Sequence, residues 1–460
     1  MFKDPRGINL TGATCDQVRI FEQILKAYFD YRISTYPTLK ELCNQAPEFP
    51  MAHILKGFLL LSMGTTGTIP GARASADHVR VMENLTQREL LHLQALDSWI
   101  LGDLRKACAI WDEVLLSEPL DILAIKLQHF SLFWLGDSIH MRATISRVIP
   151  HWDDSFYGYA QLQGMHAFAL EECGDYDKAE SLGREAVERD PQDLWAIHAV
   201  SHVYEMQGNL NAGIKWLNQP LGEWKDRNPF KEHLWWHTAL FALEKGEFKR
   251  VLDLYDQALW PEEKSFYLDI QNTASLLARL EFFGVNVGER WESLAMVSEE
   301  KIGDHVLCFT EPHYTMALGR TGKQNQISKQ VGSLEKLQQS TNRDNSRTVE
   351  TLAIPICLAI RDYYRGDYLS TVRRLMPIRY RYQPIGGSHA QRDVFNIYLI
   401  DAAIKSKQHD LASSLLSERV ALHPNSFGSW LKFAELLENM GNFRMSKVAR
   451  NEVNRIVTSA

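Results

Sequence analysis

The chain has 460 residues, of which 45% are hydrophobic and 23% charged, as in folded globular proteins rather than disordered ones. Its formal net charge of −7 argues against a protein that wraps nucleic acid, because neutralising phosphates requires a basic surface. No stretch reaches the roughly 18 apolar residues of a membrane span, no signal peptide is apparent, and six scattered cysteines without a CxxC pair indicate free thiols in the cytoplasm.

The first predicted unit, residues 1–87, is an N-terminal helical cap. Apolar residues recur at helical spacing around VRIFEQILKAYFDYRI and again around FPMAHILKGFLLLSMG, which predicts amphipathic helices. The stretch GTTGTIPGARASAD at 64–77 concentrates Gly, Pro and small polar residues, so we expect an exposed loop there. Such a loop could cover a groove as a lid, although most loops of this kind are simple connections.

A short turn built on glycine recurs along the rest of the chain. Each copy follows an apolar-periodic helical stretch, and glycine is the residue that ends a helix in the left-handed conformation at least cost. Small residues often lie seven before and five after the glycine, where two antiparallel helices would cross closely. This spacing is typical of the tetratricopeptide repeat, a helix pair of about 34 residues. The turns are LGDL at 101–104, LGDS at 135–138, CGDY at 173–176, QGNL at 207–210, KGEF at 245–248, RGDY at 365–368 and MGNF at 440–443.

The repeats predict an all-α fold, a tetratricopeptide-like helical-repeat solenoid that is strongly curved or closed around a concave pocket. Regular repeats are expected at 88–265 and again in a C-terminal part at 351–460. Between them, 266–350 is predicted to be an irregular helical segment with a polar connection, because its helical stretches are unevenly spaced and 321–349 is poor in aromatic residues.

The repeat register predicts that one group of polar and aromatic residues lines the concave side. In such arrays the first helix of each unit faces the groove, and within LWAIHAVSHVYEMQG two histidines and a glutamate fall within about 60° of helical arc. In the next unit, HLWWHTALF adds two more histidines and a tryptophan. The ligand-binding residues predicted in this way are His92, Trp195, His198, His202, Glu205, His233, Trp236, His237 and His313, the last with its register open.

Two imidazoles at i and i+4 followed by a carboxylate permit three interpretations. The rings could be architectural, because buried histidines in helical solenoids often hydrogen-bond across adjacent helices. They could line a groove for a small molecule or peptide. They could also be metal ligands or general acid and base groups of an enzyme, although the glutamate of an HExxH motif is missing. The candidate catalytic residues and the candidate metal ligands are the same four: His198, His202, Glu205 and His233.

A second polar segment, IRYRYQPIGGSHAQRDVF at 378–395, surrounds a Gly-Gly break. Ser388 is predicted to cap a helix that starts at Ala390, with Gln391 in its first turn. Arg392 is a candidate ligand-binding residue, because arginines near a helix N-terminus can hold an anionic group. The alternative is an ion pair between Arg392 and an aspartate that ties this turn to the neighbouring unit.

Four strings resemble the tetratricopeptide repeat protein 38 family, which occurs in bacteria and animals, and the chain is similar to its bacterial members. The strings are LWAIHAVSHVYEMQG, HLWWHTALFALEKGEF, NTASLLARLEFFGVNVGERW and LMPIRYRYQPIGGSHAQRDVF. The resemblance extends from about residue 35 to residue 425 and implies a tetratricopeptide-like helical array. It implies no established reaction.

From these observations we predict a helical-repeat binding protein that holds a small molecule or short peptide in a pocket lined by His, Glu and Trp. One alternative is an enzyme of hydrolase or lyase type that uses the same residues, and another is a protein-binding scaffold. No cofactor is established, and a divalent metal ion is the candidate. We expect no nucleic-acid or membrane partner, and the oligomeric state stays open, with a homodimer as one option.

Overall fold

The computed structural model describes residues 2–220, 222–339 and 345–458, and in these ranges the chain is almost entirely helical. Consecutive helices pack as antiparallel pairs joined by short turns, so the predicted all-α tetratricopeptide-like solenoid is confirmed. Two short strands, β1 Phe2–Lys3 and β2 Asn9–Leu10, pair antiparallel near the start of the chain. None of the helices in these ranges is both long and apolar enough to cross a bilayer.

Four helices precede the first predicted repeat. The prediction of a loop at 64–77 is wrong, because a helix begins at Ile69 with Pro70 in its first turn, where the missing N–H of proline costs nothing. The small side chains that suggested a loop instead let this helix pack closely on the preceding one, and Ala72 and Ala76 are fully buried. The four helices are α1 Cys15–Phe29, α2 Thr35–Gln45, α3 Pro50–Leu61 and α4 Ile69–Arg80.

The first predicted array of repeats forms regular helix pairs. The predicted turn glycines follow first helices and have positive φ, and at Gly136 a Cβ would also collide with the carbonyl group of Gln383. Asp121 and Asp193 begin two of the first helices by accepting hydrogen bonds from backbone N–H groups of the first turn. The helices are α5 Gln87–Ile100, α6 Leu104–Ser117, α7 Ile122–Trp134, α8 Ser138–Val148, α9 Tyr159–Glu171, α10 Tyr176–Arg189, α11 Leu194–Met206, α12 Leu210–Trp216, α13 Phe230–Glu244 and α14 Phe248–Leu254.

Helix pairing continues through the segment predicted to be irregular. Two further pairs are present. The turn within the first pair, 283–289, is longer than in the preceding repeats, and the polar stretch after residue 321 includes a long helix. Residues 340–344 of the predicted polar connection lie outside the described residues. The helices are α15 Tyr267–Phe282, α16 Arg290–Glu300, α17 Thr310–Arg320 and α18 Gln324–Gln338.

The C-terminal part adds three more helix pairs. A single turn of helix, α19, continues through a π-helical segment at Val349–Ala353 into α20, the first helix of the next pair. The elements are α19 Ser346–Thr348, α20 Ile354–Tyr364, α21 Tyr368–Leu375, α22 His389–Lys405, α23 His409–Leu422, α24 Phe427–Asn439 and α25 Phe443–Thr458.

The C-terminal helices close the solenoid on its middle. Helix α22 packs against α11 and α15, and α24 packs against α13. Arg279 on α15 donates from Nη2 to the carbonyl oxygen of Ala390 over 2.6 Å, and Asn425 donates from Nδ2 to the carbonyl oxygen of Gly208 over 2.7 Å. The predicted closure is therefore confirmed, and it buries the inward faces of α11, α13 and α15.

Candidate functional site

Four histidine side chains meet where α11 packs against α13. His198 and His202 are one turn apart on α11, and His233 and His237 are one turn apart on α13, so each pair lies on one helix face. Nε2 of His198 lies 2.9 Å from Nε2 of His202 and 3.1 Å from Nε2 of His233. The ring centre of His237 lies 4.5 Å from that of His202 and 4.8 Å from that of His233. One ring nitrogen of each residue lies within 4.8 Å of the other three, and we refer to this group as the four-histidine cluster.

The four-histidine cluster lies in the protein interior rather than on an open groove. The exposed fraction is 2% for His198, 3% for His233 and 0% for both His202 and His237. Burial lowers the pKa of His237 to about 3 and holds the pKa of the other three well below their usual range, since a charged ring would lose its hydration. All four rings are therefore neutral, which is the state in which imidazole binds metal ions.

Side chains outside the cluster engage the far nitrogens of two rings. Nδ1 of His233 lies 2.9 Å from Oδ1 of Asn272, and Nδ1 of His237 lies 2.7 Å from Oε2 of Glu205. An imidazole that donates from Nδ1 keeps its lone pair on Nε2. With Asn272 and an ionised Glu205 as acceptors, both rings turn a lone pair towards the centre of the cluster, in the way that outer hydrogen-bond partners orient metal-bound histidines.

Two glutamates flank the cluster, Glu171 buried and Glu205 half-buried. Glu205 bonds His237 as described, and Oε2 of Glu171, at the end of α9, lies 3.8 Å from Nδ1 of His202. Burial raises the pKa of Glu205 to about 8 and holds the pKa of Glu171 well above its usual range. A divalent cation in the cluster would favour ionisation of both carboxyl groups, and one dication with two carboxylates is neutral overall, as a low-dielectric interior requires.

The cluster cannot satisfy its own hydrogen bonds. Nε2 of His198 can offer at most one hydrogen to the two Nε2 atoms that it contacts. Nε2 of His237 and Nδ1 of His202 have no hydrogen-bond partner among the described residues. Several ring nitrogens of the cluster thus lack a full set of hydrogen-bond partners, and four nitrogen donors suit Zn²⁺ or another borderline divalent ion.

Two of the predicted roles change once the geometry is known. Glu205, a predicted metal ligand, lies outside the cluster because its carboxylate holds the far nitrogen of His237. His237, predicted only as a ligand-binding residue, takes the fourth position in the convergent set. Trp195 packs 5.0 Å from His198 and Trp236 packs 5.0 Å from His237, centre to centre, and both are buried. They support the histidine rings rather than lining an open groove.

Two other histidines predicted to bind a ligand lie apart from the cluster. Nε2 of His92 is 2.8 Å from Oδ2 of Asp121, the residue that caps α7. Nδ1 of His313 donates to the carbonyl oxygen of Phe309 over 2.9 Å. Both rings are buried in helix packing, and neither joins the group of converging nitrogens, so their positions give no support to the predicted ligand-binding role.

The cap predicted in the second polar segment is confirmed. Ser388 begins α22 in a capping box with Gln391. The alternative of an Arg392–aspartate pair is wrong, because the carboxylate beside Arg392 is that of Glu172, 3.7 Å from Nη2. Arg392 also donates to the carbonyl oxygen of Gly387.

A cavity of about 300 Å³ adjoins the four-histidine cluster. Glu205 connects the two, since it lies 2.7 Å from Nδ1 of His237 and forms part of the cavity wall. Arg279, Arg392 and Asp393 add charged groups to the same wall. The predicted single pocket is thus divided into a closed histidine core and a polar cavity beside it.

Sequence reasoning missed three residues of this region. Glu171 occupies the same place in the unit at 160–193 that Glu205 occupies in the next unit, so the repeat register could have identified it. Asn272 and Arg279 lie on α15, within the segment predicted to be irregular, where no register could be assigned.

No known protein-family profile matches the chain. Among solved structures, the chain is similar to a human IFIT1 dimer with PPP-AAAA at 12% identity and a TM-score of 0.43, covering 99% of this chain and 98% of that one. It is also similar to the TPR domain of P58(IPK), at 12% identity and a TM-score of 0.22, over 81% of this chain and 97% of that one. A Naa15/Naa10 complex bound to HypK-THB gives 13% identity and a TM-score of 0.21, over 97% of this chain and 64% of that one. Likenesses at these TM-scores give no indication of what this chain binds.

Proposed function

We propose that this chain is a helical-repeat binding protein that holds a divalent transition-metal ion on His198, His202, His233 and His237 and receives a small molecule in the adjoining cavity. The observation that carries the proposal is the convergence of four buried, neutral rings with one nitrogen each within 4.8 Å of the others. Zn²⁺ is the first candidate, because it accepts four imidazole nitrogens in a tetrahedron.

The spacing of the ring nitrogens supports a tetrahedral ion. Zinc–nitrogen bonds of about 2.0–2.1 Å place tetrahedral nitrogen ligands about 3.3 Å apart. Nε2 of His198 is 2.9 Å from that of His202 and 3.1 Å from that of His233, so small movements of the rings would make room for the ion. The ion would also replace the missing hydrogen bonds of the inward-facing lone pairs.

Metal analysis of the purified full chain tests this proposal. After equilibration with zinc and removal of loosely bound metal, we expect one equivalent per chain. The double variant His198→Asn/His233→Asn should retain less than about a tenth of it, because two of four ligands are lost. Substitution with cobalt should give the visible spectrum of a tetrahedral nitrogen site in the wild type alone.

The matched control is His313→Asn, which removes a buried histidine outside the cluster. It should keep one equivalent of metal. A wild type that binds no zinc, or equal zinc contents in all three proteins, would refute the metal site.

A hydrolase or lyase is the second candidate function, and the position of Glu205 is the observation that favours it. Its carboxyl group lies on the cavity wall, 2.7 Å from Nδ1 of His237, where it can reach a bound molecule as a general acid or base. Four protein ligands leave a zinc ion no open position for water, so Glu205 rather than the ion would move the proton. If this second function is right, Glu205→Gln abolishes any hydrolase or lyase activity found in a substrate screen and leaves the metal content unchanged. Loss of the activity together with the metal would count against a proton-transfer role for Glu205.

The proposal also includes the protein family and the cellular location of the chain. We infer membership of the tetratricopeptide repeat protein 38 family from the four strings quoted above, and a cytoplasmic location from six cysteines that are all free thiols. Joint retention of the four histidines across bacterial and animal members would support the first inference, and their independent loss would contradict it. Cell fractionation checks the second.

A further inference from the structure

The cavity beside the four-histidine cluster has the chemistry of a binding site in its own right. We propose that it binds a small organic anion, a carboxylate or a phosphate, through the guanidinium groups of Arg279 and Arg392. This inference rests on the proposed function, because it names the chemical class of the small molecule that the cavity receives.

Both guanidinium groups are buried without a carboxylate at hydrogen-bond distance. Arg279 is 3% exposed and Arg392 is 6% exposed. Nη2 of Arg279 lies 4.0 Å from Asp393, and Nη2 of Arg392 lies 3.7 Å from Glu172, both longer than a normal hydrogen bond. Their hydrogen bonds go to main-chain carbonyl oxygens, that of Ala390 among them. A bound anion would give each guanidinium the close, planar partner that it lacks.

Of the three acids on the cavity wall, Asp393 and Glu205 are engaged by other partners, and the third is Glu244. The two carboxylate oxygens of Asp393 accept from Arg419 over 2.6 and 3.0 Å, and Glu205 bonds His237 over 2.7 Å. Burial lowers the pKa of both Arg279 and Arg392, in keeping with incomplete pairing of their charges. A buried cation that is incompletely paired is costly, so an anionic ligand in contact with Arg279 and Arg392 would stabilise both guanidinium groups.

The other residues of the cavity wall indicate what the ligand carries besides its anionic group. Leu240 and Phe241 give the cavity an apolar side. The hydroxyl of Tyr382 and one carboxylate oxygen of Glu244 are buried and lack a hydrogen-bond partner among the described residues. A volume of about 300 Å³ suits a compact molecule with one anionic head and an apolar or aromatic body.

Calorimetric titration of the zinc-loaded full chain tests the inference with two matched pairs of probes. Phenyl phosphate is compared with phenol, and benzoate with benzamide. We expect saturable binding of at least one anion, at least about tenfold tighter than its neutral counterpart, because charge-assisted hydrogen bonds to arginine are lost with the charge. The anion that binds tells phosphate from carboxylate, and no binding of either anion, or equal binding of anion and neutral probe, overturns the inference.

Variants connect the binding to the named residues. Arg392→Gln should weaken anion binding at least about tenfold. The control Arg379→Gln lies on the same wall, but this arginine is paired with Glu418 at 3.0 and 3.1 Å, so its loss should leave the affinity within about twofold. Should Arg392→Gln fail to fold, Asn396→Trp, which fills the cavity from a half-buried position, carries the test, and undiminished affinity there overturns the inference.

Repeating the titration with metal-free protein separates the two proposals. Anion binding by a protein that takes up no zinc leaves the cavity site standing and removes the metal site. One equivalent of zinc without anion binding overturns the cavity site alone.

Discussion

At the scale of single residues, the two nitrogens of each imidazole have different tasks. On His233 the far nitrogen donates to Asn272, and on His237 it donates to Glu205 once that carboxyl group is ionised, which leaves a lone pair on the near nitrogen of each ring. The outer partner therefore decides which tautomer the ring adopts. A ring with the other tautomer would present a hydrogen to the centre of the cluster and repel a cation.

Asn272→Leu should lower zinc affinity by about 10–100-fold, because His233 loses the acceptor that holds its proton on Nδ1. Competition with a chromophoric chelator at neutral pH measures the effect. Gln271→Leu is the control, since this neighbouring amide is equally buried but donates to Thr310 over 2.7 Å, away from the cluster. Equal affinities in the two variants would mean that Asn272 has no part in orienting the ligand.

At the scale of helices and turns, the glycine turns differ in what they require. Gly136 combines a positive φ of 65° with a position where a Cβ would collide with the carbonyl group of Gln383. Gly174 has a similar φ of 81°, but nothing lies within 4 Å of its would-be Cβ. At Gly136 both the backbone conformation and the packing therefore require glycine, whereas at Gly174 only the backbone conformation does.

Alanine at the two turns should separate these contributions. Gly174→Ala should reduce the free energy of unfolding by about 1 kcal/mol, the cost of a left-handed alanine. Gly136→Ala should reduce it by more, about 3 kcal/mol. The added methyl group would also displace the main-chain carbonyl group of Gln383, in the segment that leads into α22. Urea denaturation measures both, and equal losses would show that the contact at Gly136 relaxes freely.

Helices were predictable to the extent that their signals are local. The turn glycines and the apolar period mark most of the repeats, and the i, i+4 spacing places His198 and His202 on one face. Composition misled at 64–77, where small residues serve close packing instead of a loop. The fourth position of the cluster could not be read from one helix, because it depends on how α13 is rotated against α11 and on Glu205 reaching His237 rather than the centre.

At the scale of the whole molecule, closure is what buries the candidate sites. An open helical array contacts only its sequence neighbours and leaves its concave face in water. Here α22 and α24 cover α11, α13 and α15, so the histidines lie in the core and the cavity is walled on its far side by α22. Repeats distant in sequence thus build the cavity of the proposed anion site together, and helices from both halves enclose the four-histidine cluster.

Burial of neutral histidines on this scale makes the whole protein sensitive to acid. Burial lowers the pKa of His313 to about 3 in the folded state, and an unfolded histidine titrates near about 6.5. Because the folded-state pKa is the lower one, the stabilising contribution is complete above about pH 6.5 and is lost as the pH falls towards the folded-state pKa.

In metal-free protein, the free energy of unfolding should therefore fall with decreasing pH more steeply in the wild type than in His313→Asn. Between about pH 6 and pH 4, the slopes should differ by about 1.4 kcal/mol per pH unit, the contribution of one proton taken up on unfolding. Urea denaturation at stepped pH measures it. His151→Asn, which removes an exposed histidine from the short 3₁₀ helix Ile149–His151, is the control. Parallel curves for the wild type and His313→Asn would instead mean that the ring at 313 is protonated in the folded state without cost.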